Sequence, residues 1–411
     1  MNKEFDTDFA RAQFPAFSDP RSEGWAHFDN AGGSFIPQQT INALSETYAI
    51  KIQPYGVGGP TAAIGAAMDQ ARIRWGEALN VAPREVQFGP STSQNTYVLA
   101  QAFGEMLEAG DEIIVTEQDH EANSGAWRRM AEARGLTLRE WTVNPDTGQL
   151  DPAEFANLLN NKTRLVSFTH CSNIVGERNP VETLTQQARA AGAWSIVDGV
   201  SWAPHEIPDV AALGCDIYLF SLYKVYGVHQ GVMTVRGDLL DQLPNQSHFF
   251  NAGYDSKRLI PAGPDHAQVA ASVGSLDYVD ALAARHGIAA NNLGEKARAI
   301  SALWRAKERS LASPLLGFLA GHPHARLIGS ETADENRAPT VAFVPERITP
   351  QALEAALGER QIMAGADHFY AYRVVKALGI DPESGVVRTS FLHYTQEQEV
   401  SRLIEALDAL L

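Results

Sequence analysis

Only two cysteines, Cys171 and Cys215, occur in 411 residues. No disulfide framework can be built from them, and a reducing compartment is the default. No apolar run approaches the roughly 18 residues that a membrane-spanning helix needs. The opening MNKEFDTDFARAQF is mixed and charged, without the apolar centre of a secretory leader. Basic runs are missing too: 33 Lys and Arg stand against 49 Asp and Glu, a net charge of −16, which argues against nucleic-acid and anionic-membrane partners. Neither a G-x-G-x-x-G between strand and helix nor a G-x-x-x-x-G-K-[ST] is present, which weakens any reading as a nucleotide-binding α/β enzyme. His120-Glu121-Ala122-Asn123 lacks the second histidine of H-E-x-x-H, so no metal site is read. What remains is a chain 45% hydrophobic and 20% charged, the profile of a globular cytoplasmic enzyme. Its length suggests two or three domains.

What is there has a rhythm. From residue 85 to 235 short apolar strands alternate with loops and helices: 85–88, 111–116, 136–141, 163–169, 194–197, 217–220 and 232–235. Such alternation predicts an α/β fold, a mostly parallel sheet with helices on both faces. Polar residues gather after the strands, so Ser93, His120, Asn173, Asp198 and Lys224 are expected along one sheet edge, where such folds bind ligands. The segment Gly89-Pro90-Ser91-Thr92-Ser93 runs from a strand into a helix beginning near Gln94. Its free N–H groups and hydroxyls suit an anion, although an ordinary Ser/Thr helix cap has the same composition.

The flanks read differently. A short helix, broken by Pro15 and Pro20, is expected over 6–17, and a small-residue turn over 30–34. Residues 243–263 form a long aromatic loop, followed by helices over 265–284 and 289–311. A connector over 312–329 leads to strands at 340–343 and 386–391 and helices at 350–357 and 396–410. This divides the chain into an N-terminal segment 1–20 packing with the small domain, a large domain 21–285, and a small α+β domain 286–411.

Asp198 and Lys224 each stand where an apolar strand stops. Charges are rarely buried unpaired, and a structural ion pair would account for both. A cofactor would too. A desolvated lysine amine has a lowered pKa and forms Schiff bases, and a neighbouring aspartate can keep a pyridinium nitrogen protonated, the arrangement used by pyridoxal 5′-phosphate.

Together these residues resemble the class V aminotransferase family of fold-type I pyridoxal-phosphate enzymes, in its cysteine-desulfurase-like branch. The likeness runs from FDNAGGS at 28–34 to VVRTSFLHYTQEQEVSRLIEAL at 386–407. It implies a seven-stranded-type, mostly parallel sheet and a homodimer. In FSLYKVYG, Lys224 matches the Schiff-base lysine. In VDGVSWAPH, Asp198 matches the aspartate facing the pyridine nitrogen. In EQDHEAN, His120 matches the histidine stacked on the ring. Asn173 in CSNIVGERNP matches a residue near the phenolic oxygen, and Thr92, Ser93 and Ser221 match phosphate-binding positions. Arg388 in VVRTS matches the arginine that grips the substrate carboxylate, with Ala31, Gly32 and Asn173 on the same substrate side.

The departures fall on the sulfur-transfer half. The stretch IMAGADHFYAYRVV, 362–375, has no cysteine where the branch carries its nucleophile on a mobile loop, and Tyr370 falls near that position. Tyr223 stands in place of the histidine before the lysine. Ser201 replaces the glutamine three residues after the aspartate and is expected at the cofactor. Ala364 replaces an arginine, and Ala267 stands where a partner subunit would lend a phosphate-binding threonine. The resemblance therefore implies an enzyme acting on a small amino acid, an aminotransferase or C–S lyase without a persulfide cysteine. An epimerase or racemase of the same family, or a pyridoxal-phosphate-binding protein without turnover, are the alternatives.

Overall fold

The computed structural model describes residues 4–411; the first three residues of the expected segment 1–20 lie outside them. Its strands are β1 (Ala26–His27), β2 (Val86–Gly89), β3 (Glu112–Thr116), β4 (Thr137–Trp141), β5 (Thr163–Thr169), β6 (Trp194–Asp198), β7 (Ile217–Ser221), β8 (Gly231–Val235), β9 (Ala325–Leu327), β10 (Thr340–Pro345), β11 (Ile362–Met363), β12 (Gly365–Asp367) and β13 (Val386–Ser390). Seven form the main sheet in the order β2-β8-β7-β6-β5-β3-β4. Pairing is parallel from β7 through β4, while β8 runs antiparallel to both β7 and β2.

Both faces of this sheet are covered at its centre, and the central strands are accordingly apolar along their length rather than alternating. Successive side chains point to opposite faces. Val197, Tyr218, Phe220 and Val232 pack with Trp75 on one side, whereas Ile196, Leu219 and Met233 pack with Phe103 and Trp127 on the other. The mainly parallel sheet flanked by helices is the one that the strand–helix alternation predicts.

A second, antiparallel sheet of order β12-β13-β10-β9 lies in the C-terminal part. It has its own core of Leu315, Leu316, Leu319, Phe343, Val387, Phe391 and Leu403. Ala26 and Phe28 join that core from the N-terminal side, and β1 pairs with β11 in parallel. Among the described residues no helix is long and apolar enough to cross a membrane.

Several expected elements are redrawn. The helix over 6–17 is only Thr7–Arg11, followed by a 3-10 turn at Pro15–Ser18, because Pro15 has no N–H to continue the ladder. The helix over 265–284 breaks at Ser272 into His266–Ala271 and Val273–His286. At that break the Ser272 carbonyl and hydroxyl accept hydrogen bonds from Trp75 Nε1, at 3.3 and 3.2 Å.

The helix over 289–311 starts at Leu293 and continues to Gly321, straight through Pro314 and most of the expected connector. Pro314 and Ser310, whose carbonyl loses its donor, are both exposed, so water can satisfy the orphaned acceptor. Leu311, Leu315, Leu316 and Leu319 bury the opposite face, and packing outweighs propensity. Leu315→Ala should therefore lower the unfolding free energy by about 2–5 kcal/mol, read as a fall in the urea midpoint. An unchanged midpoint would mean that this stretch is not packed against the C-terminal core.

Candidate active site

Lys224 is placed by the turn between β7 and β8. Ser221 and Gly231 face each other across the two strands. Leu222–Lys224 forms a single 3-10 turn, and the Leu222 N–H donates to the Gln230 carbonyl at 2.8 Å. The lysine side chain is buried. Burial pushes its amine down to about 8, with Arg388 adding to the effect and Asp198 and Asp29 opposing it. Asp198 closes β6 and accepts from Val200 N–H at 2.9 Å. Burial raises its carboxyl to about 6 despite that hydrogen bond and despite Lys224. Each charge is thus held toward its neutral form by the low-dielectric surroundings.

His120 caps the helix Glu121–Arg134, its Nδ1 accepting from Ala122 N–H at 3.1 Å. That bond leaves the ring proton on Nε2. Burial, then Lys224 and Arg388, hold the imidazole neutral with its pKa lowered to about 3. Beside it stands Asp119, which sequence reasoning passed over. Its carboxylate accepts from Thr116 Oγ1 at 2.8 Å and Asn123 Nδ2 at 3.0 Å, and Asn123 Oδ1 accepts from Ser167 Oγ at 3.1 Å. These bonds tie the loop carrying His120 to β3 and β5. Burial lifts the Asp119 carboxyl to about 7. A lone Asp beside a histidine carries no sequence signal for such a role.

A cavity of about 260 Å³ brings together Thr92, Ser93, His120, Asn173, Asp198, Ser201, Ser221 and Lys224. All eight were expected at the cofactor. Ser91, Tyr223 and His229 also line it and were not among the residues expected there. At one end the hydroxyls of Thr92 and Ser221 are 2.7 Å apart, beside the N-terminus of the helix Thr92–Met106. Gly231 permits this closeness: a Cβ there would lie 2.5 Å from Thr92 N.

The substrate-side residues are split. Arg388 is buried and donates to Asp29 Oδ1 at 3.1 Å and to Asn173 O at 3.4 Å. Its guanidinium lies 3.7 Å from the centroid of Phe369, and among the described residues its buried Nε has no hydrogen-bond partner. Ala31 lines a small recess that adjoins the cavity and shares Ser201 and Lys224 with it. Gly32 lines neither recess; it packs on Asp29, whose Oδ2 would lie 2.7 Å from a Cβ.

The stretch 362–375, expected as a loop, is largely ordered into β11, β12 and the helix Tyr372–Ala377. β11 pairs with β1 and β12 with β13, which leaves Ala364 and the four residues 368–371 outside regular structure. Phe369 and Tyr370 there have φ of 48° and 59°, left-handed backbone that bulky residues adopt only when held. What holds them is Asn173 Nδ2 donating to Phe369 O at 3.0 Å and Glu121 N–H donating to Tyr370 O at 2.7 Å. The Tyr370 ring stacks on His120 with centroids 5.2 Å apart.

Comparison with known proteins places this geometry. The aminotransferase class-V family model matches residues 26–403. An aminotransferase-like protein, FGM3, of Gibberella zeae is 32% identical over the full length of both chains. A cysteine desulfurase of Pectobacterium carotovorum is 29% identical over 97% of each. Among solved structures, the cysteine desulfurase CsdA of Escherichia coli superposes with a TM-score of 0.83 over 99% of this chain and 98% of its own, at 22% identity, and shares the fold.

The two thiols sit away from the cavity around Lys224. Cys171 is buried against Trp202 and Ala338, and burial pushes its thiol up to about 12. Cys215 is buried too, with its thiol raised by the same cause. Both are free. Neither forms a useful thiolate near neutral pH. In the native protein Ellman's reagent should therefore titrate almost no thiol within minutes, and both cysteines after denaturation. Rapid reaction of one thiol in the folded protein would contradict this placement.

Proposed function

The chain belongs to the aminotransferase class-V family of enzymes, and on that premise we propose that it uses pyridoxal 5′-phosphate, held by Lys224, to transform a small amino acid. The reaction is that of an aminotransferase or a C–S lyase working without a persulfide-forming cysteine. One observation carries the reading: a buried, pKa-lowered lysine and a buried aspartate share a single cavity with a hydroxyl-lined helix N-terminus. That donor set fits the cofactor part by part. Thr92, Ser93 and Ser221 offer hydroxyls and the helix start offers N–H groups to a phosphate. Asp198 supports a proton on the ring nitrogen. Neutral His120 presents a flat ring, and Asn173, on the cavity wall, would be available to the ring's oxygen.

When bound, the cofactor supplies an electron sink for the bond broken at the substrate's Cα. The chain's own residues do the rest. Lys224, its amine pushed down to about 8, is poised to take and return a proton at Cα. Arg388 receives the substrate carboxylate through donors that planar guanidinium geometry aligns and a lysine could not reproduce. Asp29 keeps that guanidinium in place beforehand. Buried thiols and the aromatic segment 368–371 support chemistry that does not pass sulfur to the protein. The two free cysteines agree with a reducing, cytoplasmic compartment.

The test is a screen of amino acids for spectral change of the bound chromophore, with ammonia, pyruvate, sulfide and stereochemistry read as products. Turnover of none of them would sink the enzymatic reading. Borohydride reduction should fix the chromophore to Lys224. Peptide mapping that puts the label on Lys162 or Lys257 would refute the assignment.

The enzyme is further proposed to act as a homodimer. Val57, Phe249, Phe250, Tyr254 and Tyr55 are all more than half exposed, and their two segments border one groove of about 340 Å³. So large an apolar surface marks an association site. Sedimentation at micromolar concentration should give twice the 44.6 kDa chain mass; a monomeric mass would contradict it.

A further inference from the structure

Among the described residues the cavity wall holds one lysine and no arginine, yet a phosphate monoester carries about −1.5 to −2 charges near neutral pH. Hydroxyls and a helix N-terminus leave most of that charge without a cationic partner. Two other side chains on the wall are imidazoles, His120 and His229. His120 is kept neutral by burial and by neighbouring cations. His229 is exposed, and an imidazole in contact with water can donate from a ring N–H to an anion in either protonation state.

Its position is fixed by the fold. His229 lies two residues before Gly231, whose Cα packs against the backbone at the start of the helix Thr92–Met106. Its ring is stacked on Tyr223, with centroids 5.0 Å apart and planes within 5°. Tyr223 is itself anchored: its carbonyl accepts from Ser34 N–H at 3.0 Å and from Ser34 Oγ at 3.1 Å, and Gly33 lies against its ring. A face-to-face stack occupies the imidazole's π-surface and leaves its N–H edge available to an anion.

We propose that His229, oriented by Tyr223, is a ligand of the cofactor's phosphate. The inference rests on the pyridoxal-phosphate reading and adds a residue to it. Tyr223 stands where the family resemblance places a histidine, and His229 restores an imidazole to the same end of the cavity from the other side of the β7–β8 turn.

The test compares wild type with His229→Ala and His229→Gln, using pyridoxal 5′-phosphate and unphosphorylated pyridoxal as probes. Each apoprotein is titrated by fluorescence, and cofactor loss from each holoprotein is followed by dialysis. Loss of one charge-assisted hydrogen bond should weaken pyridoxal-phosphate binding about tenfold or more in His229→Ala, less in His229→Gln, and leave pyridoxal binding unchanged. The ³¹P resonance of the bound phosphate should shift in both variants. Equal affinities for pyridoxal phosphate in wild type and His229→Ala would overturn the proposal, and so would a parallel loss of both probes. Wild type taking up no pyridoxal phosphate would overturn the cofactor reading and this inference with it.

Discussion

The pairing of Ser221 with Gly231 across β7 and β8 is the constraint from which the rest of the site follows. It closes the excursion 222–230 tightly enough that Lys224 is forced down into the cavity. It sets the Ser221 hydroxyl against Thr92. It also brings bare glycine backbone against the start of the helix Thr92–Met106, a contact that any side chain at 231 would prevent. The antiparallel strand β8, the exception in its neighbourhood, is thus what lets an amine, a hydroxyl pair and a helix N-terminus meet at one place.

Burial then decides the chemistry. Lys224, Asp198, Asp119 and His120 lie within one desolvated neighbourhood, and all four are displaced toward their uncharged forms. Such displacement is costly to stability and is characteristic of functional sites. The hydrogen bonds that run from Thr116 through Asp119 and Asn123 to Ser167 offset part of the cost by satisfying the groups around it. Farther off, His205 and Glu308 form a buried pair at 3.0 Å. It joins the loop after β6, where His205 lines the recess beside Lys224, to the long helix Leu293–Gly321 by more than apolar contact.

Two ordered aromatics lie over Arg388 and His120. Phe369 covers Arg388 and Tyr370 covers His120, both held by hydrogen bonds from the helix start and from Asn173. Arg388 is thus engaged from two sides, by the Asp29 carboxylate and by the Phe369 ring. The geometry of this short segment is fixed by hydrogen bonding.

The residue pattern by itself determined the parallel α/β sheet, because strands buried on both faces must be continuously apolar and separated by covering helices. It also determined the edge where Ser93, His120, Asn173, Asp198 and Lys224 assemble, because polar residues after parallel strands necessarily share one end of the sheet. Tertiary structure decided what local pattern cannot carry. The helix through Pro314 exists because its apolar face is buried. At the break at Ser272, Trp75, nearly two hundred residues away, donates to the serine's carbonyl and hydroxyl. The ordering of 362–375 depends on pairing with β13 and with β1, the latter far away in sequence. Asp119 and His229 were invisible for the same reason: each is an ordinary residue until a neighbour, brought there by strand register and helix packing, gives it a partner.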